Sequence, residues 1–145
     1  MISQTAEYAL RAMVFLATQN TAVTGLQIAE VTKVPPGYLS KLMHKLAQAK
    51  LVLSQRGIGG GFILSKKPSE ISILDVVNAV DPIERIESCP LSIKSHGFNL
   101  CPLHKRLCEA TTQVEKAFAA STLGELIEEA KEPLCSVPLV DSVAQ

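Results

Sequence analysis

Residues 35–66 read PPGYLSKLMHKLAQAKLVLSQRGIGGGFILSK, and the order of patterns within them sets the fold. The two prolines and the glycine form a turn, and prolines suit the entry of a helix. Over roughly residues 37–49, Leu39, Leu42, Met43 and Leu46 recur at helical spacing and form a core stripe. The opposite face offers Tyr38, Ser40, Lys41, His44, Lys45 and Gln48. Two short apolar segments follow, Leu51-Val52-Leu53 and Phe62-Ile63-Leu64, with SQRGIGGG between them at 54–61. Strand-like pieces around a glycine-rich loop predict a β-hairpin with more than a tight two-residue turn.

Upstream, residues 3–19 contain no Gly or Pro and place Leu10, Met13, Val14 and Ala17 at helical spacing. A break at 20–23 precedes Thr24, a good N-cap for the short helix GLQIAEVTK, whose Leu26, Ile28 and Ala29 are expected to face inward. Downstream, Ser72 can cap ILDVVNAV, and an irregular stretch covers 81–100. Helical character resumes over 101–120, with Leu103, Leu107, Val114, Ala117 and Phe118 available for packing. Thr122 and Glu125 form a capping-box pattern that opens LGELIEEAK, and a loose tail follows Lys131.

At 145 residues the chain is long enough for one domain with a real core. Trp is absent and aromatics are 4 % of residues, which favours aliphatic helices over a β-sandwich. No apolar run approaches the roughly 18 residues that span a bilayer, and no charged leader precedes an apolar block at the N-terminus. The expectation is a soluble, cytoplasmic protein with no membrane partner. In that compartment the four cysteines serve more often as thiols or ligands than as disulfides. The formal net charge of zero hides an asymmetry. Residues 1–67 hold eight bases against two acids, a net +6, and the remainder carries −6. A basic half joined to an acidic half suits a chain whose first half meets a polyanion.

Helix, helix, turn, helix, hairpin is the order of a winged helix-turn-helix. In that arrangement one short helix braces a second, whose polar face enters the major groove of duplex DNA. Basic groups at the groove edges hold phosphates, and the hairpin reaches toward a neighbouring groove. Tyr38, Ser40 and Lys41 lie at the start of the presumed recognition helix, where base edges are reached. Arg56 lies beside glycines, Gly59 and Gly60 among them, that let backbone approach DNA closely. Thr24, His44 and Lys45 are candidate phosphate contacts. A nucleotide-binding loop is the alternative for GIGGG, but these glycines join two strands and no Gly-Lys-Ser/Thr follows. A plain structural hairpin is the simplest alternative. An enzyme with zinc-activated water would need a paired general base, and the chain offers none.

Four stretches carry a family resemblance: AEYALRAMVFLA, the 35–66 segment, ISILDVVNAVD and STLGELI. They resemble the Rrf2 family of bacterial winged-helix regulators, of which the iron–sulfur cluster regulator IscR and the nitric-oxide-sensing NsrR are typical. The most specific parts are the YL-x-K-L helix and the RG-x-GGG wing. The resemblance implies a mostly α fold with a long C-terminal dimerisation helix that crosses its counterpart in a homodimer. It also implies promoter binding at a dyad-symmetric operator, without catalysis. DNA contacts carried over by position are Tyr38, Ser40, Lys41 and Arg56. The organisation expected is a DNA-binding domain at 1–80, a sensor loop at 81–100, dimerisation helices at 101–132 and a flexible tail at 133–145.

In cluster-binding relatives, three cysteines and a histidine three residues after the last occupy this loop and the start of the dimer helix. Counted back from Thr122-Leu123-Gly124, Cys101 and His104 match the last cysteine and that histidine, and Cys89 matches the first. The middle cysteine is missing; Ser95 and His96 stand there. At 100° per residue, Cys101, His104 and Cys108 fall within about a 60° arc of one helix face, which makes Cys108 one replacement. Glu7 is another, since some relatives draw a carboxylate from the partner's first helix. Either set suits a [2Fe–2S] cluster that responds to redox, nitric oxide or iron–sulfur status, and a repressor is the expected role. Cys89, Cys101, His104 and Cys108 would also satisfy zinc. A Cys89 disulfide, or a regulator without any cofactor and controlled by a partner protein, completes the alternatives. Cys135 reads as a lone thiol, and His96 as a loop residue.

Overall fold

The computed structural model describes residues 2–85 and 101–130. Among these described residues, six α-helices and one β-hairpin follow in the order α1 (Gln4–Ala17), α2 (Gly25–Thr32), α3 (Pro36–Gln48), β1 (Val52–Gln55), β2 (Gly61–Leu64), α4 (Ile73–Val80), α5 (Pro102–Ala120) and α6 (Leu123–Glu129). A 3-10 turn at Pro68–Glu70 sits between β2 and α4. The expected winged helix-turn-helix with a long C-terminal helix is present.

Side-chain caps start α1, α2, α4 and α6 where the sequence places them. Ser3 caps α1 by accepting from the Ala6 amide. Thr24 with Gln27, Ser72 with Asp75 and Thr122 with Glu125 form reciprocal capping boxes at α2, α4 and α6. Each box satisfies amides that no helical carbonyl can reach. α3 instead begins on Pro36, which has no amide hydrogen to lose. It ends with Lys50 in the left-handed region at φ 59°, while the Leu51 N–H reaches back to the Leu46 carbonyl at 3.0 Å. That closure turns the chain directly into β1.

α1 is central and packs against α2, α4 and α6. Its Ala6, Ala9, Ala12, Met13, Phe15 and Leu16 are buried, a broader face than Met13 with the half-buried Leu10, Val14 and Ala17. Leu39, Leu42, Met43 and Leu46 of α3 join this core as expected. On α2, Ile28 and Ala29 are buried, but Leu26 is 74 % exposed, contrary to the sequence expectation. The reason is the start of the helix. Thr24 is the cap and Leu26 occupies the second helical position, at the open rim, while the core-facing arc starts at Ile28.

β1 and β2 pair antiparallel with Val52 opposite Leu64 and Gln55 opposite Gly61, so β1 runs two residues further than its apolar segment. Val23 adds a bridge to the outer edge of β2, exchanging both backbone bonds with Phe62 at 2.9 and 2.8 Å. This bridge fixes the hairpin to the entry of α2. A second bridge joins Ser72 to Thr122, and Leu123 is fully buried beneath it, so α6 docks the C-terminal segment onto the body.

Candidate nucleic-acid interface and sensor helix

The helix α3 carries its polar residues outward. Tyr38, Ser40, Lys41, His44 and Lys45 are all exposed, as is Arg56 on the hairpin. Ser40, Thr24 and Leu26 line one shallow groove of about 310 Å³ whose wall includes Phe62 of β2. The entry of α2, the start of α3 and the wing therefore share one surface. Gly59 lies at φ 74°, and the Gly60 amide closes the wing turn on the Gly57 carbonyl at 3.0 Å.

Tyr38 is held by α1. Its hydroxyl lies 2.5 Å from Thr5 Oγ1, and its ring meets Tyr8 edge-on with centroids 5.7 Å apart. Gln4 donates to the Tyr8 hydroxyl at 2.9 Å, and the Arg11 guanidinium sits 5.8 Å from the Tyr8 ring centroid. Thr5 and Tyr8 thus orient the first polar side chain of the recognition helix, a role that sequence reasoning missed. The available signal was compositional, because this contact uses both tyrosines of the chain.

Lys45 also has a partner within the fold. Its Nζ donates to the Val80 carbonyl at 2.8 Å, capping the C-terminal end of α4 where a cation is favourable. Its charge ties α3 to α4. Thr24 likewise has a local task in its capping box, with its hydroxyl 3.0 Å from Gln27 Oε1.

Of the candidate metal ligands, the structure brings two together. Cys101 is the N-cap of α5, and its Sγ lies 3.1 Å from His104 Nδ1. Cys108 is half-buried and lines a separate groove with Lys105, Glu109 and Thr112. Glu7 is engaged by Arg11 at 2.5 Å on the exposed side of α1. Among the described residues, no three His, Cys, Asp or Glu side chains converge, so neither four-ligand set is assembled within them. Cys89, His96 and Cys135 lie outside the described residues, as does the expected tail.

α5 runs for 19 residues, and none of them is buried among the described residues. Val114 and Phe118 are half-buried against the body, whereas Leu103 and Leu107 are 63 % and 46 % exposed. A groove of about 640 Å³ separates this helix from Ile2, Ala6 and Val77. Glu115 accepts from Arg85 Nε at 2.8 Å, tying the helix to the segment after α4. No helix among the described residues is long and apolar enough to cross a membrane.

Comparison with known proteins places this geometry. Residues 2–129 match the Rrf2 family, described as an iron-dependent transcriptional regulator. IscR of Aliivibrio salmonicida is 34 % identical over 122 residues, covering 83 % of this chain and 73 % of that protein. The structure of T. potens IscR superposes with a TM-score of 0.76 at 24 % identity, covering 92 % of this chain and 93 % of that one. Staphylococcus aureus CymR in an oxidized form gives 0.72 at 27 % identity, over 91 % and 99 %. The relatives are regulators rather than enzymes, and with its winged helix and basic N-terminal half the chain belongs to the Rrf2 family of DNA-binding transcriptional regulators.

Proposed function

We propose that the chain is a homodimeric repressor of a dyad-symmetric operator, whose affinity answers to redox, nitric oxide or iron–sulfur status through a [2Fe–2S] cluster. The observation that carries this is the Cys101–His104 pair, 3.1 Å apart at the first turn of α5. A thiolate and an imidazole are ligand types such a centre accepts, and two ligands of one tetrahedral metal stand roughly 3.5 Å apart. Cys89 would supply the third ligand, and Cys108, Glu7 or His96 the fourth. Bound there, the cluster would supply a centre whose charge and integrity change with its surroundings.

The remaining roles fall to the chain itself. Tyr38, Ser40 and Lys41 face base edges, while Arg56, His44 and Lys45 face phosphates. Gly59 and Gly60 keep the wing backbone bare, and Thr24 presents the entry of α2. Leu103 and Leu107 are left for the partner's α5, which makes α5 the dimer helix. Cys101 joins the 81–100 loop to that helix, so a change in the loop shifts the first turn of α5. This alters the separation of the two α3 helices, and half-sites about 34–36 Å apart tolerate little change. The functional division is 1–80 for DNA, 81–100 for sensing, 101–132 for dimerisation and 133–145 as tail.

The test is iron, sulfide and zinc analysis of anaerobically purified protein, with visible spectra of Cys89→Ala, Cys101→Ala, His104→Ala, Cys108→Ala and Glu7→Ala. Coloured protein with bleached or shifted spectra in Cys101→Ala and His104→Ala supports the cluster. Spectra unchanged in all five variants would refute the ligand assignment. One observation favours a second reading: an N-cap thiol beside an imidazole is also the setting of a redox-sensitive cysteine. Colourless protein that loses DNA affinity on mild oxidation, or one that holds zinc alone, would select that branch.

A further inference from the structure

The wing tip carries one exposed apolar side chain with no structural task. Ile58 is fully exposed, at 110 % relative accessibility, and no hydrogen bond or core contact in the fold involves it. Between Arg56 and Phe62 every other residue is glycine, so Ile58 is the single side chain on the tip. Gly57 and Gly59, on either side, lie at φ 96° and 74°, conformations that L side chains adopt reluctantly. The turn is closed by the Gly60 amide on the Gly57 carbonyl at 3.0 Å, and the strands behind it are anchored to Val23. The tip is therefore narrow, held in place and apolar, at the end of a basic half with a net charge of +6.

We infer that Ile58 enters the minor groove of bound DNA and is a specificity-determining residue there. This rests on the proposed wing contact with DNA. The minor groove is about 6 Å wide and excludes a two-stranded ribbon with side chains, but it admits one side chain flanked by glycines. With α3 in the major groove, the groove next to it across a phosphate strand is the minor one. Arg56, two residues before the tip, is placed for that strand. An apolar side chain on the groove floor has a defined chemical preference. It offers no acceptor to the exocyclic amino group of guanine, so a G·C pair beneath it leaves a desolvated donor unpaired. Ile58 therefore selects A·T steps, and burying it adds affinity without releasing counterions.

The experiment uses the full chain and a duplex of about 30 bp selected by the wild-type protein from a random pool. Affinity is measured from 50 to 300 mM salt for the wild type, Arg56→Ala, Ile58→Ala and Ile58→Lys, with thermal melts to verify folding. Ile58→Ala should lose roughly tenfold in affinity with an unchanged salt slope. Arg56→Ala should reduce the slope by about one. Replacing the A·T step under the wing by G·C should weaken the wild type several-fold and Ile58→Ala hardly at all. Ile58→Lys should raise the slope. If Arg56→Ala loses its slope unit while Ile58→Ala matches the wild type on both duplexes, the inference fails and the wing contact stands. If neither variant changes binding, the wing contact itself fails, and the inference with it. An Ile58→Ala loss equal on A·T and G·C duplexes, or a change in self-association with unchanged DNA affinity, would also overturn it.

Discussion

Replacing Gly61 by alanine tests how the wing is fixed to the body. A Cβ at this position would lie 2.3 Å from the Val23 carbonyl oxygen, 2.5 Å from its carbon and 2.9 Å from the Thr24 nitrogen. All three are backbone atoms, so no side-chain rotation relieves the overlap. The residue also sits at φ 145°. Accommodation requires the two Val23–Phe62 bonds, 2.9 and 2.8 Å, to break. Two hydrogen bonds contribute about 0.5–1.5 kcal/mol each, and the backbone conformation adds about 1–3 kcal/mol. The expected loss is roughly 2–6 kcal/mol, a large part of the stability of a domain this size. Urea unfolding followed by far-ultraviolet circular dichroism should show a lower midpoint with an unchanged slope. Gly59→Ala is the control: it has φ 74° but no atom within 4 Å of a new Cβ, so it should lose only about 1–2 kcal/mol. A Gly61→Ala midpoint equal to the wild type, or a Gly59→Ala loss as large as that of Gly61→Ala, would refute the close-approach reasoning.

Other expectations follow from burial and capping. Ile28→Ala should cost about 2–5 kcal/mol, since Ile28 is fully buried, whereas Leu26→Ala should stay within about 0.5 kcal/mol in the same thermal melts. Equal losses for the two would mean that α2 is rotated from the orientation described. Thr24→Ala removes the capping box of α2 and should cost about 1 kcal/mol, with Thr24→Ser restoring most of it. Tyr38→Phe keeps the ring on Tyr8 but releases Thr5, for a loss of about 0.5–1.5 kcal/mol in denaturant titrations. No loss there would place the Tyr38 hydroxyl in solvent rather than on α1.

Much of this protein is legible along the chain because its signals are local. Thr24–Gln27, Ser72–Asp75 and Thr122–Glu125 are caps whose partners lie three residues apart, and all three boxes form. The stripe Leu39, Leu42, Met43 and Leu46 has one helical period and is buried as that period requires. The hairpin follows from two apolar segments around glycines. Cys101 and His104 are likewise close because they lie three residues apart at one helix start.

What the tertiary structure decided depends on groups far apart in sequence. Leu26 has the spacing of a core residue, but nothing local states that the buried arc of α2 begins only at Ile28. Lys45 reads along the chain as a phosphate contact, and only the fold brings its Nζ to the Val80 carbonyl of α4, 35 residues later. Tyr38 is oriented by Thr5 from 33 residues away. Periodicity and capping are encoded in neighbouring residues, so sequence alone can state them. The partner of a long side chain is chosen by whichever surface packing brings within reach, and that is settled only when the elements meet.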